Sequence, residues 1–404
     1  MSVKNWPALG WESRVWDWSA HGSRPSGRAE RVFRHFRSAV PPFIASASPA
    51  FSAEATQCIA EAQADISILE HGAGEFLVEL GGFLLRSESV ASSKIERLSA
   101  PPSDVLAALA GMGAGRIATQ IAANVRAMQR GMKIASRNEA LGTADILSVH
   151  RALMEKDEVD SAWAGRLRDR QNWIGGSDIS PRDALFVPPA PELIAPLLED
   201  LVHFANRQDL SSLVQSAIVH AQFETIHPFV DGNGRVGRAL IHVVLRKRMA
   251  IKKAIVPIST ALLANTERYF SALEQMRMGD LDGWVIEFAK AASTAAREGM
   301  HLASDLRTLS ERWLSLCSPR SGSALESILS ALIRQPIVNL ELLQTIVNVA
   351  DKNIYDAIDT LADAGVLQET TGGRRNRVWI APDVVDLVQR FESRVGRRRR
   401  AQQV

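Results

Sequence analysis

The stretch His227-Pro228-Phe229-Val230-Asp231-Gly232-Asn233-Gly234-Arg235-Val236-Gly237-Arg238 gathers a base, a carboxylate, an amide, two arginines and several glycines within twelve residues. Apolar residues recur at helical spacing on both sides of it. Val214, Ala217, Ile218 and Ala221 mark one helix before it, and Val236, Ala239, Leu240, Val243 and Val244 mark another after it. The stretch is therefore a loop that runs into a helix N-terminus. Gly232 and Gly234 can take backbone angles denied to other residues and let main-chain N–H groups crowd an anion. The partial positive charge of the helix start points the same way. Arg235 and Arg238, spaced i, i+3, fall on neighbouring ridges of the first turn and can fork onto phosphate oxygens. Asp231 offers a hard oxygen suited to Mg²⁺ shared with a polyphosphate. His227 is the one group here able to accept a proton near neutral pH. A base, a metal ligand and an anion cradle together describe phosphoryl or nucleotidyl transfer.

Outward from this site, breakers divide the chain of 404 residues, a length that predicts two or three domains. Residues 1 to about 50 carry Trp, Arg, Ser and Pro without periodicity. Residues 52–98 have helical spacing interrupted by glycines and end at Pro101-Pro102. Helical stretches are predicted from Asp104 to about Glu139 and from Thr143 to Lys156. Residues 166–191, rich in Gly and Pro, predict a loop or small hairpin. Helical patterning resumes after Pro191 and runs to about Ser310, and Ser318 to Ser323 has the composition of a linker. The expected fold is mainly α, with one hairpin and a small α+β appendage.

The stretch 227–238 matches every fixed position of the Fic-family signature, His-Pro-Phe-x-Asp/Glu-Gly-Asn-Gly-Arg-x-x-Arg, and so resembles that family. Gln171-Asn172-Trp173-Ile174-Gly175-Gly176 through Phe186-Val187-Pro188-Pro189 is similar to the segment that holds the family's substrate flap. The resemblance implies a Fic helical bundle with a β-hairpin flap over residues 140–310. It also implies an enzyme that moves AMP from ATP onto a Tyr, Thr or Ser hydroxyl of a protein target. In that scheme His227 is the base that deprotonates the hydroxyl, and Asp231 binds Mg²⁺. Gly232, Asn233, Gly234 and Arg235 hold the nucleotide phosphates, Arg238 the terminal phosphate, and Phe229 anchors the loop. Gly234 argues against the family's protein-kinase branch, where a Lys is typical. Another nucleotide, removal of AMP, or a DNA-binding regulator whose Fic domain senses nucleotide are the alternative expectations.

Within the N-terminal region, residues 1–139, the segment 87–97 contains Ser92 and Glu96, which resemble the family's inhibitory Ser/Thr-x-x-x-Glu-Gly/Asn helix. Arg97 replaces the Gly or Asn. A carboxylate paired with Arg238 would take the place of the terminal phosphate, which makes Glu96 an expected brake. Residues 322–390 resemble a winged helix-turn-helix. Arg374, Arg375 and Arg377 are its expected phosphate contacts if DNA is a partner. Residues 391–404 form an expected basic tail. From Val366 to Val404 nine Arg stand against four acids, whereas the rest of the chain has 38 basic and 41 acidic residues.

Cys58 and Cys317 fit no metal or redox spacing and are expected to be reduced. No uninterrupted apolar run approaches about 18 residues. The start to Arg28 has no apolar core of a secretory signal, so the cytoplasm is the expected location. A homodimer is an expectation of the resemblance alone.

Overall fold

The structure is a computed structural model that describes residues 6–18, 24–25, 27–72, 77–109, 111, 113–252, 254–347, 349–370 and 377–401. Its elements, in chain order, begin with β1 (Gly10–Val15), α1 (Arg28–Val32), β2 (His35–Val40), α2 (Ala53–Gly72) and α3 (Leu77–Ile95). Then come α4 (Pro102–Leu109), α5 (Arg116–Ala135), α6 (Thr143–Met154), α7 (Pro191–Ala205), α8 (Ser212–Ile226) and α9 (Asn233–Lys247). α10 (Ile258–Leu263), α11 (Thr266–Arg277), α12 (Leu281–Cys317), α13 (Ala324–Arg334), β3 (Ile337–Asn339) and α14 (Leu340–Ile346) follow. The last are α15 (Asp351–Asp363), β4 (Gln368–Glu369), β5 (Val378–Ile380) and α16 (Pro382–Ala401). The protein is mainly helical, as expected. It forms two compact units that interleave along the chain: 1–61, 126–250 and 266–290 in the first, and 62–125, 251–265 and 291–404 in the second.

The first unit is built around α8. Its sequence predicts an amphipathic helix, yet every residue from Leu213 to Ile226 is buried, so α8 is the central helix of the unit. Its polar residues are accommodated by specific bonds, as burial requires. Gln215 donates to the Phe204 carbonyl at 2.8 Å, His220 Nε2 meets the Tyr269 hydroxyl at 2.8 Å, and Gln222 donates to the Pro42 carbonyl. The α8 backbone contributes too, since the Trp284 indole N–H donates to Ala217 O at 2.9 Å. α9 packs tightly against α8 because residue 237 is glycine. A Cβ there would stand 2.6 Å from Glu224 Oε1 and 3.0 Å from Phe223 Cδ1.

The first fifty residues, without periodicity in the sequence, are not featureless. β1 and β2 form an antiparallel hairpin pairing Gly10 with Val40 through Val15 with His35. Conversely, the expected 166–191 hairpin has only one bridge, Ile174 to Phe186. Gly176 shapes it, with φ +77 and a Cβ position 2.5 Å from the Arg182 carbonyl.

In the second unit α3 packs on α10 and α13. The single helix expected from Asp104 to Glu139 is broken into α4 and α5 around Gly111, whose φ is +75. The C-terminal elements run helix, strand, helix, helix, strand, strand, with a sheet in the order β3-β5-β4. β3 was not expected, because three residues are too few to show a period. The expected break between 390 and 391 falls inside α16. Among the described residues 391–401 continue α16 without a break, and two of its arginines meet acids. Arg394 and Arg398 both reach Glu298, at 2.9 and 2.5 Å, and Arg399 is buried. Arg377 pairs with Glu369 and lies over the Trp379 ring; Arg374 and Arg375 lie outside the described residues. No described helix is long and apolar enough to cross a membrane, and Cys58 and Cys317 are free thiols.

Candidate active site

α8 ends because His227 turns left-handed, with φ 49 and ψ 60, while its N–H still bonds to Phe223 O. The chain then crosses Pro228 to Asp231 and enters α9 through Gly232, itself left-handed at φ 79. Gly232 has no substitute here: an added Cβ would lie 2.9 Å from Leu153 Cδ2 as well as impose the strained angle. Gly234, by contrast, is not among the left-handed residues and lies in the first turn of α9. No side chain caps α9, so its first amides are left to face an incoming anion.

Asn233 turns both ends of its amide back onto the loop. Oδ1 accepts from Phe229 N at 2.8 Å and Nδ2 donates to Phe229 O at 2.9 Å. Its side chain thus shapes the cradle, leaving its main chain for an anion. Asp231 and Arg235, expected to serve metal and phosphate separately, pair with each other at 2.8 Å; Asp231 is exposed and Arg235 buried. Arg238 is fully buried.

Three residues outside the motif complete the loop. Arg168 donates to the His227 carbonyl at 2.9 Å, to Arg170 O at 3.1 Å and to Pro189 O at 2.5 Å, and its own N–H bonds Pro228 O. One buried guanidinium therefore joins the end of α8 to the flap segment. Asn172 donates to Phe229 O. His150 stacks on Phe229 with centroids 3.7 Å apart and planes within 2°. Gly165 N donates to His150 Nδ1 at 3.0 Å, so Nε2 carries the proton and donates to Asp231 O at 3.1 Å. Nothing in the periodicity singles out these residues. Only the company of Asn172 with the flap-like segment hinted at any of them.

The electrostatics favour neutral imidazoles. Burial, and then the charges of Arg168 and Arg277, push the His227 pKa down to about 3; the Glu224 carbonyl and Asp231 pull the other way. Burial likewise lowers His150 to about 4 and His220 to about 3. Each folded pKa lies below the unfolded value near 6.5, so the unfolded chain takes up the proton first as pH falls. The stability these groups contribute is complete above about pH 6.5 and is lost toward pH 4. The expected slope is about 1.4 kcal/mol per pH unit for each buried imidazole. Urea unfolding of wild type and His150→Gln between pH 5 and 7 checks this, with the variant losing about one proton of slope.

The flap segment is tied to the N-terminal hairpin. Glu30 in α1 is buried and accepts from Ser180 Oγ at 2.6 Å and Arg182 Nε at 2.8 Å. Burial pushes its pKa up, but the bonds from Ser180 and Arg182 outweigh that and leave it below the usual carboxylate range. Trp16 meets Trp173 edge-on at 5.5 Å, Trp11 meets Phe186, and Ala39 N bonds Val187 O. The Arg277 guanidinium lies 3.8 Å from the centroid of the Phe186 ring. Glu30→Gln weakens the charge-assisted bonds from Ser180 and Arg182 and is expected to lower stability by about 1–3 kcal/mol, which urea unfolding measures.

Residues 140–245 match the family model described as Fic/DOC family. These residues are a Fic domain. Among curated proteins, protein adenylyltransferase fic-1 of Caenorhabditis elegans is 28% identical over 160 residues, covering 39% of this chain and 28% of that protein. Protein adenylyltransferase Fic of Drosophila virilis is 32% identical over 144 residues, covering 35% and 26%. A probable protein adenylyltransferase of Aquifex aeolicus is 26% identical over 217 residues, covering 52% and 60%. The chain thus spans about a quarter of the worm and fly proteins and rather more than half of the bacterial one. A solved Fic family protein from Desulfovibrio desulfuricans G20 shares the fold, with TM-score 0.50 and 21% identity over 82% of this chain and 96% of its own. The Fic domain includes His227 to Arg238 together with Arg168, His150 and Asn172, so the loop and its supports belong to one matched segment.

Proposed function

We propose that the protein is an adenylyltransferase that moves AMP from ATP to a hydroxyl of a protein. One observation carries this: a neutral imidazole at the end of α8, its own carbonyl held by Arg168, is joined by the short loop 228–232 to an uncapped helix start. A pure nucleotide sensor would use the cradle but not the base.

In this scheme the ATP phosphates take the α9 amides and the guanidiniums of Arg235 and Arg238. The target hydroxyl gives its proton to His227, and its oxygen attacks the α-phosphorus. The bond to the β-phosphate breaks, pyrophosphate leaves, and the product is a phosphodiester on the protein. A base with pKa near 3 is weak, but the triphosphate brings negative charge beside Arg168 and Arg277 and raises its basicity when it is used.

The donors present suit Mg²⁺. Among the described residues no group of three or more His, Cys, Asp or Glu could hold a metal ion. Asp231 supplies a single exposed carboxylate, and Mg²⁺ commonly takes one or two carboxylates plus phosphates and water. When bound, such an ion neutralises phosphate charge. Asp231 would hold the ion, and Arg235, its partner at rest, would then be left for phosphate.

Glu96 is the proposed brake. It follows the last residue of α3, exposed in a turn, while Ser92 is buried. Arg97 is left-handed at φ 63, its N–H bonding Lys94 O and that of Leu98 bonding Ser93 O. This is the turn in which glycine is usual after a helix. Gly or Asn in the family pattern therefore meets a backbone need that Arg97 meets under strain, and the departure at 97 leaves the geometry of the turn intact. Glu96→Gly is expected to raise labelling of the protein by ATP at least several-fold; unchanged labelling in a folded variant would remove Glu96 from the account. Incubation of a lysate with the Glu96→Gly protein and ATP labelled at the α-phosphate tests the proposed function itself, through new labelled protein bands.

A further inference from the structure

Within the second unit α3, α4 and α16 enclose a cavity of about 310 Å³ that the nucleotide scheme does not use. Its wall is largely apolar, with Phe83 from α3, Val105 and Leu106 from α4, and Val388 from α16. Arg86, Ser87 and Lys94 of α3, with Ser99, Gln389 and Glu392, interrupt that wall, and of these Arg86 and Ser87 are adjacent in sequence.

Neither is satisfied as such groups usually are. Arg86 Nη1 donates to the neutral amide oxygen of Gln335 at 3.2 Å and its guanidinium lies 6.0 Å from the Phe83 ring centroid. Among the described residues Arg86 makes no ion pair, since Glu392 in the same cavity is taken by Lys94, and burial lowers the Arg86 pKa to about 10. Arg86 is half-buried, and a cation withdrawn from water normally has an anionic partner. Ser87 is 4% exposed, and its hydroxyl has no hydrogen-bond partner. The contrast along the same helix is direct. Ser89 donates to Leu85 O at 2.8 Å and Ser93 to Ser89 O at 2.9 Å, in the usual turn-back to the preceding carbonyl.

The other charges at the cavity are Lys94 and Glu392, which neutralise each other at 3.1 Å. The site therefore offers one net positive charge and a hydroxyl in an apolar setting. We propose that this cavity binds a small amphipathic carboxylate, its head held by Arg86 and Ser87 and its hydrocarbon body by the apolar wall. A planar carboxylate suits a guanidinium fork, and one net charge suits it better than a doubly charged phosphate. Water occupies about 30 Å³ per molecule in the liquid, so the cavity holds on the order of ten non-hydrogen atoms. That is the size of octanoate.

The test is calorimetric titration of the full chain with octanoate, octanol and octyl phosphate. Saturable one-to-one binding of octanoate is expected, with octanol and octyl phosphate each about tenfold weaker or worse. Arg86→Gln should weaken octanoate about tenfold while leaving octanol unchanged, which separates loss of the charge from loss of the cavity. Ser87→Ala, a smaller change that leaves α3 in place, should weaken octanoate several-fold. Val388→Trp should fill the cavity and remove both ligands. Absence of saturable octanoate binding to the wild-type protein overturns the proposal. So does octanol or octyl phosphate binding as tightly, or octanoate binding unaffected by both Arg86→Gln and Ser87→Ala.

Discussion

His227→Ala is expected to lower nucleotide transfer by about a hundredfold to ten-thousandfold, the range for losing a positioned general base. ATP affinity should change by less than about threefold, because in the proposed scheme binding rests on the α9 amides, Arg235 and Arg238, which the substitution does not touch. His227 is itself left-handed, so alanine keeps a strained backbone without the ring; His227→Asn, better suited to that conformation, separates strain from chemistry. Single-turnover rates and nucleotide titration of both variants check the expectation. Transfer at the wild-type rate in either would remove the base from the mechanism.

Arg168→Met has the second largest expected effect, and it acts through His227. The substitution leaves the carbonyls of His227, Arg170 and Pro189 without their shared donor inside the fold. Orphaned buried acceptors cost roughly 1–3 kcal/mol each, so a total loss of about 3 kcal/mol or more in stability is expected. A purely structural role would end there. Arg168 also carries one of the charges that hold His227 neutral, after burial itself. Removing that charge raises the pKa of His227, so the acid limb of kcat/KM should move up in pH. Arg168→Lys keeps a charge but not the three-way fork, and should restore the pH profile better than the stability. A pH–rate profile identical to wild type in Arg168→Met would leave the residue as a structural clamp only.

How much of this was legible follows from how the information is distributed. His227 to Arg238 is contiguous, and each residue type has a use beside the next, so the loop and its chemistry could be read directly. What holds the loop could not. Arg168 and His150 act through backbone carbonyls of segments far along the chain, and a carbonyl acceptor leaves no mark on residue identity. The Asp231–Arg235 pair and the inward-turned Asn233 show a related limit, since residue types identify what a group can bind but not which partner it has at rest. The sequence of α8 reads as amphipathic although the helix is buried all round, because its polar residues find partners in Tyr269, Phe204 and Pro42. The N-terminal hairpin leaves no mark in the sequence because β1 and β2 are separated by α1 and lack a tight turn signal. The arginines of α16 suggested a free tail only because their acidic partners, Glu298 and Asp305, stand about ninety residues earlier.

The proposed reaction breaks ATP between the α- and β-phosphates and leaves the nucleotide on protein. The most direct measurement is a pair of parallel reactions of wild type, with Mg²⁺ and an unfractionated lysate as target, using ATP labelled at the α-phosphate in one and at the γ-phosphate in the other. Protein-bound label from the α-phosphate only is expected, with pyrophosphate released in equal amount and neither product with His227→Ala. Protein-bound label from the γ-phosphate, or α-label incorporated equally by His227→Ala, would contradict it.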